Sequence, residues 1–365
     1  MSEIGIPPGI VSADALIEID GETVTRLNSG LLSVLVEETT EGLYRCEARF
    51  GNWGSSDGGP DYLYFDRTLL DFGKEIAVRL GAEEGAGEVF RGRISALEAQ
   101  FSVEDRSLTV LAEDRAQDLR MQRRTRVFED LSDADVFEQI AGEHGLQAAI
   151  EVNGPTQRVL AQLNQSDLAF IRERARWLDA EVWLADRTLH VQSRANRQQG
   201  AADDLTLILG RGLLEFEVSA DLANQHTSVI VSGWDVSAKD QLLHEANDSV
   251  LGSELNGMLS AAGLVDSTFG TRVDRLVHHV PFTIAEAQSL AEATFRSQAR
   301  RFIRGVGVAR GDARLRVGAL ISMSGLGDLF SGGYYVSEVR HIFQRGEAGG
   351  YTTQFVVERP GLGRG

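Results

Sequence analysis

Two short stretches hold residue types that often do chemistry in proteins. His278 and His279 are adjacent and could ligate a metal, and residues 305–311 read GVGVARG, close to the glycine loop that binds dinucleotides. Neighbours on a strand point to opposite faces, so one metal site can hardly use both histidines. The glycines follow a predicted helix and enter a strand, which is the reverse of the order in nucleotide-binding folds. We therefore expect no metal and no cofactor at either place.

The other common catalytic signatures give no sign of an active site. A serine nucleophile elbow, G-x-S-x-G, is not expected, H-E-x-x-H, C-x-x-C and the phosphate-binding Walker loop do not occur, and no spacing singles out a pair among the 54 carboxylates. The one cysteine, Cys46 in LYRCEARF, is most simply a small buried apolar residue and excludes an internal disulfide. We expect that the protein is not an enzyme.

The composition excludes several classes of protein. With 365 residues, 42% of them apolar, the chain can fill two or three cores, and no run of 18 apolar residues marks a membrane span. The N-terminal residues lack the basic and apolar regions of a signal peptide, so cytosolic synthesis is expected. A net charge of −18 argues against gripping duplex DNA. The acidic excess either only aids solubility or forms a surface that something passes without sticking.

One β-unit occurs twice in the sequence, early and late. Residues 71–119 and the last fifty residues both show an apolar strand ending in glycine, a Phe-x-Gly element, an alternating strand, and a strand that runs into an acid–arginine pair. The alternative to duplication is a chance likeness of two hairpins. Both glycines of the Phe-x-Gly elements are expected at bulges or corners that tolerate no side chain. The candidate structural and interface residues are Phe90, Gly92, Arg115, Gly318, Phe330, Gly332 and Arg359.

Between the two β-units the hydrophobic period changes to that of helices. Ser132, three residues before Asp135, predicts a capped helix, and Ser166 is placed to cap a second one. Two short strands at Val182–Leu184 and Leu189–Val191 follow. These residues are interpreted as a small α/β insert.

The later part of the chain alternates between loops and one strong helix. Residues 193–204 are expected to be a linker, and residues 248–270 a loop with a weak helix. The strongest helical pattern covers residues 282–305, with Thr283 and Glu286 as its capping pair. The final strands of the second β-unit follow it.

The order of these elements resembles one protein family. The chain is similar to the phage late control gene D proteins over roughly residues 30 to 361, in the segments VFRGRI to LTVLAEDRAQDL, LSDADVFEQIAGEHGL, NQSDLAFIRERARWLDAEVWLADRTLHV, TSVIVSGWD and FSGGYYVSEVRHIF to GGYTTQFVVER. Those proteins are central baseplate hubs of contractile tails, and they are similar to the N-terminal part of the VgrG spikes of type VI secretion. No single segment is specific, whereas their order is.

The resemblance implies an α+β, mainly β fold, with two tail-tube-like β-barrel domains and a small α/β insert. The expected domains are 1–126 for the first barrel, 127–200 for the insert and 201–365 for the second barrel. Three such chains would form a ring of six similar barrels that adapts a trimeric spike to a hexameric inner tube. Duplication of one β-unit suits this role, because a closed ring needs matching interfaces.

The resemblance also implies partners. They are the homotrimer itself, the inner tube protein, other baseplate components, and a spike that is a separate polypeptide, since this sequence ends at ERPGLGRG without a needle. DNA, a tape-measure protein or an effector would pass through the lumen. The protein would be made in the bacterial cytoplasm and built into a phage tail or phage-tail-like particle, without inserting in a membrane.

Three expectations about surfaces follow from the ring. The strands near 73–81 and 318–325 should be barrel edges that pair or pack between neighbouring chains, because free edges invite aggregation. The insert, residues 131–192, should project from the ring and meet other baseplate components. Part of the acidic excess should face the lumen.

Two other functions stay open. A tail-tip carbohydrate- or receptor-binding protein would show exposed aromatic residues on one face, and a tail-associated peptidoglycan hydrolase would show an isolated acid in a pocket. The only aromatic cluster visible in the sequence is interpreted as a loop plus a packed strand. It consists of Trp53, Tyr62, Tyr64 and Phe65.

Overall fold

The computed structural model describes residues 14–56, 58–81, 86–199, 205–235, 239–346 and 349–363. The expectations for residues 1–13 and 200–204 lie outside these ranges. Elements are numbered in chain order. The first part holds β1 (Asp14–Ile19), β2 (Glu22–Thr23), α1 (Thr25–Gly30), β3 (Leu31–Thr39), β4 (Arg45–Gly51), β5 (Trp53–Ser56), β6 (Gly59–Tyr62), β7 (Glu75–Gly81), β8 (Gly87–Phe101), β9 (Arg106–Glu113) and α2 (Ala116–Arg120).

The middle and last parts alternate strands with longer helices. The middle part holds β10 (Arg123–Leu131), α3 (Asp133–Glu143), β11 (Gln147–Glu151), β12 (Gln157–Ser166), α4 (Asp167–Trp177), β13 (Ala180–Ala185), β14 (Thr188–Ser193) and α5 (Arg194–Gln199). The last part holds β15 (Leu205–Leu209), β16 (Gly212–Ala220), β17 (Ser228–Asp235), β18 (Asp240–Asn247), β19 (Leu259–Ser260), α6 (Ala261–Phe269), β20 (Val273–Leu276), α7 (Ile284–Arg300), β21 (Ile303–Arg310), β22 (Leu320–Ser324), α8 (Gly327–Phe330), β23 (Gly332–Gln344), β24 (Gly350–Arg359) and β25 (Gly361–Leu362).

Six strands of the first part curl around an apolar core, in the spatial order β1-β7-β8-β9-β4-β3. Alternate residues face inward, so that Val34, Ala48 and Val110 are each at most 1% exposed. In the described residues β1 and β3 do not pair with each other. Instead the side-chain amide of Asn28 in α1 bonds the backbone N–H and carbonyl of Ile17 in β1, at 2.7 and 3.0 Å. Helix α1 thereby takes the place of a strand neighbour at this position.

The second barrel is closed by six strands, in the order β15-β16-β21-β24-β23-β22 and back to β15. Closure depends on parallel pairing of β15 with β22, and on only two residue pairs between β15 and β16. Strand β23 continues beyond this barrel and pairs with β3, so one 13-stranded sheet runs through both barrels. The α+β, mainly β fold with two β-barrels is therefore confirmed.

Five strands of the two barrels share one order and one register. The series β3-β4-β9-β8-β7 corresponds to β16-β21-β24-β23-β22. Ser95 in β8 and Ser337 in β23 are each the extra residue of a bulge, and so are Leu32 in β3 and Leu214 in β16. Chance likeness does not account for bulges at the same rungs of both barrels, so the structure supports duplication of the β-unit.

The glycines used to align the two copies are not equivalent. Gly92 in β8 pairs with Ile76. The residue that pairs with the corresponding Ile321 in the second barrel is Tyr334, and not Gly332. The alignment by Phe-x-Gly was therefore wrong by two residues, although the order of strands that it indicated was right.

The other markers of the repeat are shifted as well. Phe90 lies inside β8, whereas Phe330 ends the short helix α8 before its strand begins. At the end of the unit, Glu113 is the counterpart of Glu358, because their partners Arg93 and Tyr335 each lie two residues before the equivalent bulge. Asp114 was the residue aligned with Glu358 from the sequence. Backbone register depends on bulges, which a Phe-x-Gly pattern does not encode.

The strands expected at barrel edges lie inside the sheet. Strand β7 is flanked by β1 and β8, and β22 is flanked by β15 and β23. The expectation that residues near 73–81 and 318–325 are free to pair between chains was therefore wrong. The strands that cover them, β1 and β15, are far away in sequence, and a strand's own residues do not reveal such a partner.

The insert forms around the two predicted helices. Ser132 accepts a hydrogen bond from the Asp135 amide while the Asp135 side chain accepts from the Ser132 amide, which completes the capping box of α3. Ser166 caps α4 by accepting from the Ala169 amide. Strands β13 and β14 form the predicted hairpin, but β10, β11 and β12 were not predicted. One buried apolar core joins the helices to these strands.

Residues 221–302 interrupt the second barrel with a module that was not predicted as separate. Strands β17, β18 and β20 form its three-stranded sheet, and α7 packs on that sheet around an apolar core of its own. Thr283 caps α7 by accepting from the Glu286 amide, as predicted. Within the expected linker lies α5, and within residues 248–270 lie a 3₁₀ turn and α6.

Candidate functional site

The two barrels meet along one antiparallel ladder. Seven residue pairs join β3 to β23. At one of these pairs the Arg340 guanidinium lies 2.9 Å from the Glu37 carboxylate, and both side chains are partly exposed. Because every rung fixes the register, the ladder sets how the barrels are placed side by side. We call this ladder the seam.

A buried acid and a buried histidine lie at the seam. Glu38, 1% exposed, pairs with Arg316 at 2.5 Å and accepts a hydrogen bond from the Val317 amide at 3.2 Å. Burial lowers the pKa of Arg316, but the charge and hydrogen bond of Glu38 together with the neighbouring Tyr44 and Tyr351 outweigh it, and the pKa is raised. Burial, and then the charge of Arg316, hold the pKa of His341 well below its usual range. His341 is therefore neutral, and the Tyr351 hydroxyl lies 2.7 Å from its Nδ1.

Arg197 of α5 connects the insert to both barrels. Its guanidinium donates to the Tyr44 hydroxyl at 2.9 Å and to the Val317 carbonyl at 3.1 Å, and it pairs with Glu181 at 2.9 Å. Tyr44 belongs to the first barrel, Val317 precedes β22 of the second, and Glu181 lies in β13 of the insert. Burial raises the pKa of Tyr44 to about 12, with the charge of Arg197 opposing it. One guanidinium thus links three parts of the chain.

Glu181 has further partners in the same region. The Tyr335 hydroxyl of β23 donates to it at 2.5 Å, and Arg194 lies 3.1 Å away. Arg194 also donates to Glu358 of β24 at 2.7 Å. The insert is therefore fixed to the second barrel by buried charged groups, whose loss on one side leaves the other unpaired.

Gly318, Gly332 and Arg359 serve close packing around the second barrel. Gly318 has φ +92°, and a Cβ there would overlap the side chain of Arg197. Gly332 has φ +128°, and a Cβ there would lie 3.3 Å from the Arg359 guanidinium. Arg359 is 2% exposed and lies over the Tyr334 ring, with its guanidinium carbon 4.4 Å from the ring centroid. It also donates to the backbone carbonyls at the end of α8, where Phe330 lies.

Phe90, Gly92 and Arg115 lie in or next to the first barrel. A Cβ at Gly92 would overlap the Glu113 carbonyl and lie 2.5 Å from the Phe90 ring, which is itself buried. Gly92 occupies a regular rung with a bulge on each side, so the reason for glycine there is close backbone approach. Arg115, half-buried, precedes α2 as its N-cap residue. Five of the seven predicted residues therefore form two clusters. Phe90 lies with Gly92, and Arg359 lies with Gly332 and the end of α8, whereas Gly318 and Arg115 are apart from both.

An exposed aromatic cluster lies at the far end of β8. The Tyr62 ring stacks on Phe65 with centroids 4.7 Å apart, and it meets Trp53 and Phe101 edge-on at 5.1 and 5.8 Å. Phe101 is 62% exposed, Trp53 43% and Phe65 41%. Tyr64, grouped with them from the sequence, is buried. The interpretation as a loop plus a packed strand fits Tyr64 and misses the exposed group, to which Phe101 adds a distant residue.

A groove of about 420 Å³ separates the insert from the α7 module. Apolar side chains of both line it, among them Phe170, Trp177 and Phe282. His278 and His279 also line it, and they lie in a bend after β20, so their placement on a strand was wrong. The His279 ring meets the Trp177 ring edge-on at 4.7 Å. His279 therefore packs against an aromatic ring in the wall of the groove.

The sequence patterns that suggested chemistry have structural explanations. GVGVARG runs along β21, where Cβ atoms at Gly305 and Gly307 would overlap the rings of Phe216 and Phe355. Residues 54–58, GSSDG, match the G-x-S-x-G spacing of a serine nucleophile elbow, so the expectation that the sequence lacks one was wrong. Residues 54–56 of this stretch lie in β5, which pairs antiparallel with β6, whereas an elbow needs a strand followed by a helix.

The described ranges contain neither a group of metal ligands nor a helix that could cross a membrane. No group of three or more metal-ligating side chains lies together there. None of the helices there is both long and apolar enough to cross a membrane. The functional argument therefore depends on three features of the described residues: the seam, the Arg197 network and the aromatic cluster.

A family model described as the Alg8 N-terminal domain matches residues 13–345. The chain belongs to the Alg8 N-terminal domain family. The match spans both barrels, the insert and the α7 module of this Alg8-family chain. A search of curated proteins found no match to it.

Solved structures share the fold of the Alg8-family chain over nearly its whole length. The 43 kDa tail protein of prophage MuSo2 from Shewanella oneidensis is 11% identical, with a TM-score of 0.67 over 96% of this chain and 99% of that one. A tail protein from Neisseria meningitidis is 12% identical, with a TM-score of 0.68 over 96% and 97%. An Escherichia coli protein is 13% identical, with a TM-score of 0.59 over 96% and 79%. It is described as a component of the type VI secretion system with structural similarity to T4 bacteriophage tail proteins.

These likenesses confirm one part of what the sequence resemblance implied. The Alg8-family chain has the fold of phage and prophage tail proteins and of a type VI secretion component. At identities of 11 to 13% the likeness concerns the fold and carries no individual residue role.

Sequence reasoning missed the seam and the buried arginine network of the Alg8-family chain. Arg194 and Arg197 are spaced like any exposed pair on a short polar helix, and Glu181 looks like an ordinary polar strand residue. Their burial depends on Tyr44 and Tyr335, which are distant in sequence. No local pattern in the sequence marks these arginines as buried.

Proposed function

We propose that this protein is the central hub of a contractile-tail or contractile-injection baseplate, with three copies forming a ring of six barrels. The observation that carries the proposal is the duplicated five-strand register within one chain, including its paired bulges. Two similar barrels per chain and three chains give six similar units around a ring. Such a ring can meet a three-fold spike on one face and a six-fold tube on the other.

The proposal assigns roles to the parts of the chain. Residues 1–126 and 201–365 supply the two ring barrels, the latter interrupted by the α7 module, and residues 127–200 supply the insert. The insert and the α7 module occur once per chain, so they suit contacts with three-fold or irregular baseplate components. The partners are a separate spike, the inner tube protein and other baseplate proteins, in a particle assembled in the bacterial cytoplasm. The role is structural and involves no catalysis.

The negative net charge of the chain supports a lumen wall to which acidic molecules do not adhere. A net charge of −18 per chain becomes 3 × (−18) = −54 in a trimer. If part of this charge lines the lumen, DNA and acidic proteins would pass without adhering. A lumen with balanced or positive charge in a structure of the ring would contradict this part of the proposal.

Native mass spectrometry of the purified chain tests the hub role. A trimer is the expected result, and a trimer that associates with its inner tube protein under electron microscopy would support the adaptor role directly. A stable monomer at all accessible concentrations would count against the hub.

The exposed aromatic cluster favours a second candidate, a glycan-binding tail-tip protein. Aromatic faces commonly stack on sugars, and Trp53 with Phe65 offers such faces. Binding of the chain to cell-wall glycans that is lost in Trp53→Ala would favour this candidate. The remaining alternative, a peptidoglycan hydrolase, predicts a clear zone in a zymogram of the purified protein.

A further inference from the structure

Two strand segments in different barrels have a free edge. In the described residues, β8 from Ala96 to Phe101 pairs only with β9, and β16 from Glu215 to Ala220 pairs only with β21. Free edges of this length offer unpaired backbone N–H and C=O groups to another strand. Each therefore needs a partner that a single copy does not supply.

The seam shows what such a partner looks like. Through the matching bulges, β8 corresponds to β23 and β16 corresponds to β3. Within one chain β23 and β3 pair with each other, and they form the seam. The free edges of β8 and β16 thus correspond to the two strands of the seam, one in each barrel, and they are unpaired with each other in the described part of the chain.

We propose that β8 of one copy pairs antiparallel with β16 of a second copy, in the register of the seam. Transferring the register places Leu97 opposite Ala220, Ala99 opposite Val218 and Phe101 opposite Phe216. The pairing is head-to-tail because the two edges differ, so it builds either a closed ring or an open filament. Closure at three copies rests on the proposed function, whereas the pairing itself does not.

The side chains suit this register. Leu97 lies on the strand face that packs on the first core, and Ala99 and Phe101 follow it on the same face two and four residues on. Phe216 packs in the second core, where its ring meets Tyr334 edge-on at 5.9 Å. The register therefore puts apolar residues opposite apolar residues, while a shift by one would place them opposite Glu217 and Ser219.

The exposed aromatic cluster gains an explanation. Phe101, 62% exposed, is its member on the free edge of β8. Pairing with β16 would cover Phe101 and extend the apolar core across the copies. On the other strand face, Glu98 opposite Ser219 replaces the Arg340–Glu37 ion pair of the seam. The contact between copies is therefore expected to lack an ion pair at this rung.

Cysteine cross-linking tests the register. In a Cys46→Ala background, Glu98→Cys with Ser219→Cys places two thiols opposite each other on neighbouring copies, and directly opposite positions lie about 4.5–5.5 Å apart. Mild oxidation with copper phenanthroline should give disulfide-linked species of two and three copies in non-reducing denaturing gels, because a disulfide needs Cβ atoms about 3.5–4.5 Å apart. Glu98→Cys with Glu217→Cys, two residues out of register on the same face, is the matched control and should react several-fold less. Each single-cysteine variant should stay uncross-linked.

The outcomes separate the pairing from the hub. A trimer by native mass spectrometry with no preference for the 98–219 pair would overturn the pairing and leave the hub in place. Efficient 98–219 cross-linking into ladders longer than three copies would support the pairing and contradict the three-copy ring. A monomer with no cross-links would overturn both.

A second variant tests the apolar contact without threatening the fold. Phe101→Asp puts a charge opposite Phe216 at the proposed contact, yet in the single copy this side chain is largely in solvent. Association should weaken at least about tenfold, with an unchanged melting temperature of the monomer. Val103→Asp, 92% exposed and just beyond the strand, is the control and should associate like the parent. Equal association of both variants would overturn the proposal.

Discussion

The guanidinium of Arg197 donates to the hydroxyl of Tyr44 across 2.9 Å, and this bond ties the insert to the first barrel. Arg197→Ala would leave the buried Glu181 with Arg194 as its remaining cation and Tyr44 without its partner. We expect the free energy of unfolding in urea to fall by about 3 kcal/mol, as for other broken buried ion pairs.

An exposed ion pair provides the control for that measurement. Arg176 lies 2.6 Å from Glu41, and the two side chains are 59% and 54% exposed. Arg176→Ala should change the free energy of unfolding by less than about 1 kcal/mol. Equal losses in the two variants would show that the Arg197 network adds nothing to stability beyond a surface pair.

Glycine substitutions test the two kinds of constraint found in the barrels. Gly92→Val would push a side chain into the Glu113 carbonyl, and Gly332→Val would hold a β-branched residue at φ +128°. Each should cost on the order of 1–3 kcal/mol in urea unfolding. Gly142 in the last turn of α3 has open space around it, so Gly142→Ala should stabilise by about 0.4–1 kcal/mol. Unchanged stability in both valine variants would refute the reading of these sites.

Asp114 makes stability depend on pH in an unusual direction. Burial raises the pKa of its carboxyl to about 6, although the amides of Tyr44 and Ala116 donate to it. Since the folded state holds this proton more tightly than the unfolded state, stability contributed by the group falls as pH rises from about 4 to 6. The difference is on the order of 3 kcal/mol, from about two pKa units.

The variant Asp114→Asn isolates this effect. It removes the titration while retaining one acceptor oxygen, so its urea midpoint relative to the parent should rise between pH 4 and pH 6.5. Parallel midpoint curves for the two proteins across that range would show that Asp114 does not titrate as described.

Cys46 is expected to be silent in the native protein. Its thiol is 1% exposed in β4, so a reagent cannot reach it. Burial also raises the pKa of the thiol, so the reactive thiolate does not form at neutral pH. A neutral thiol reagent should label it only on unfolding. The urea midpoint of labelling should equal the midpoint of the unfolding transition followed by tryptophan fluorescence. Rapid labelling of the folded chain would contradict the burial.

Local signals in the sequence predicted local structure well. The caps at Ser132, Ser166 and Thr283 were found because a capping residue and its partner lie within three positions of each other. The duplication was found because strand order survives in the pattern of apolar residues. The residue correspondence failed because it is fixed by bulges at Ser95 and Ser337, which carry no sequence mark.

Non-local features were out of reach of the sequence. Which strands are edges depends on partners such as β1 and β15, which come from other parts of the chain. The buried charges of Glu38 and Arg197 look like surface residues until the seam and the insert enclose them. The exposed aromatic cluster was half visible, since Phe101 joins it from 36 positions beyond Phe65.

The glycines in and directly after β21 imply a distinctive map of substitution tolerance. Gly305, Gly307 and Gly311 each leave room for an aromatic ring, of Phe216, Phe355 and Tyr351 in turn. In a saturation library selected for soluble expression, these positions should accept almost no replacement, while exposed Arg304 and Val306 between and beside them accept many. Each ring fills the space that a side chain at the facing glycine would need, so the two positions would have to change together. In related sequences, a residue larger than glycine should therefore occur together with a smaller side chain in place of the ring.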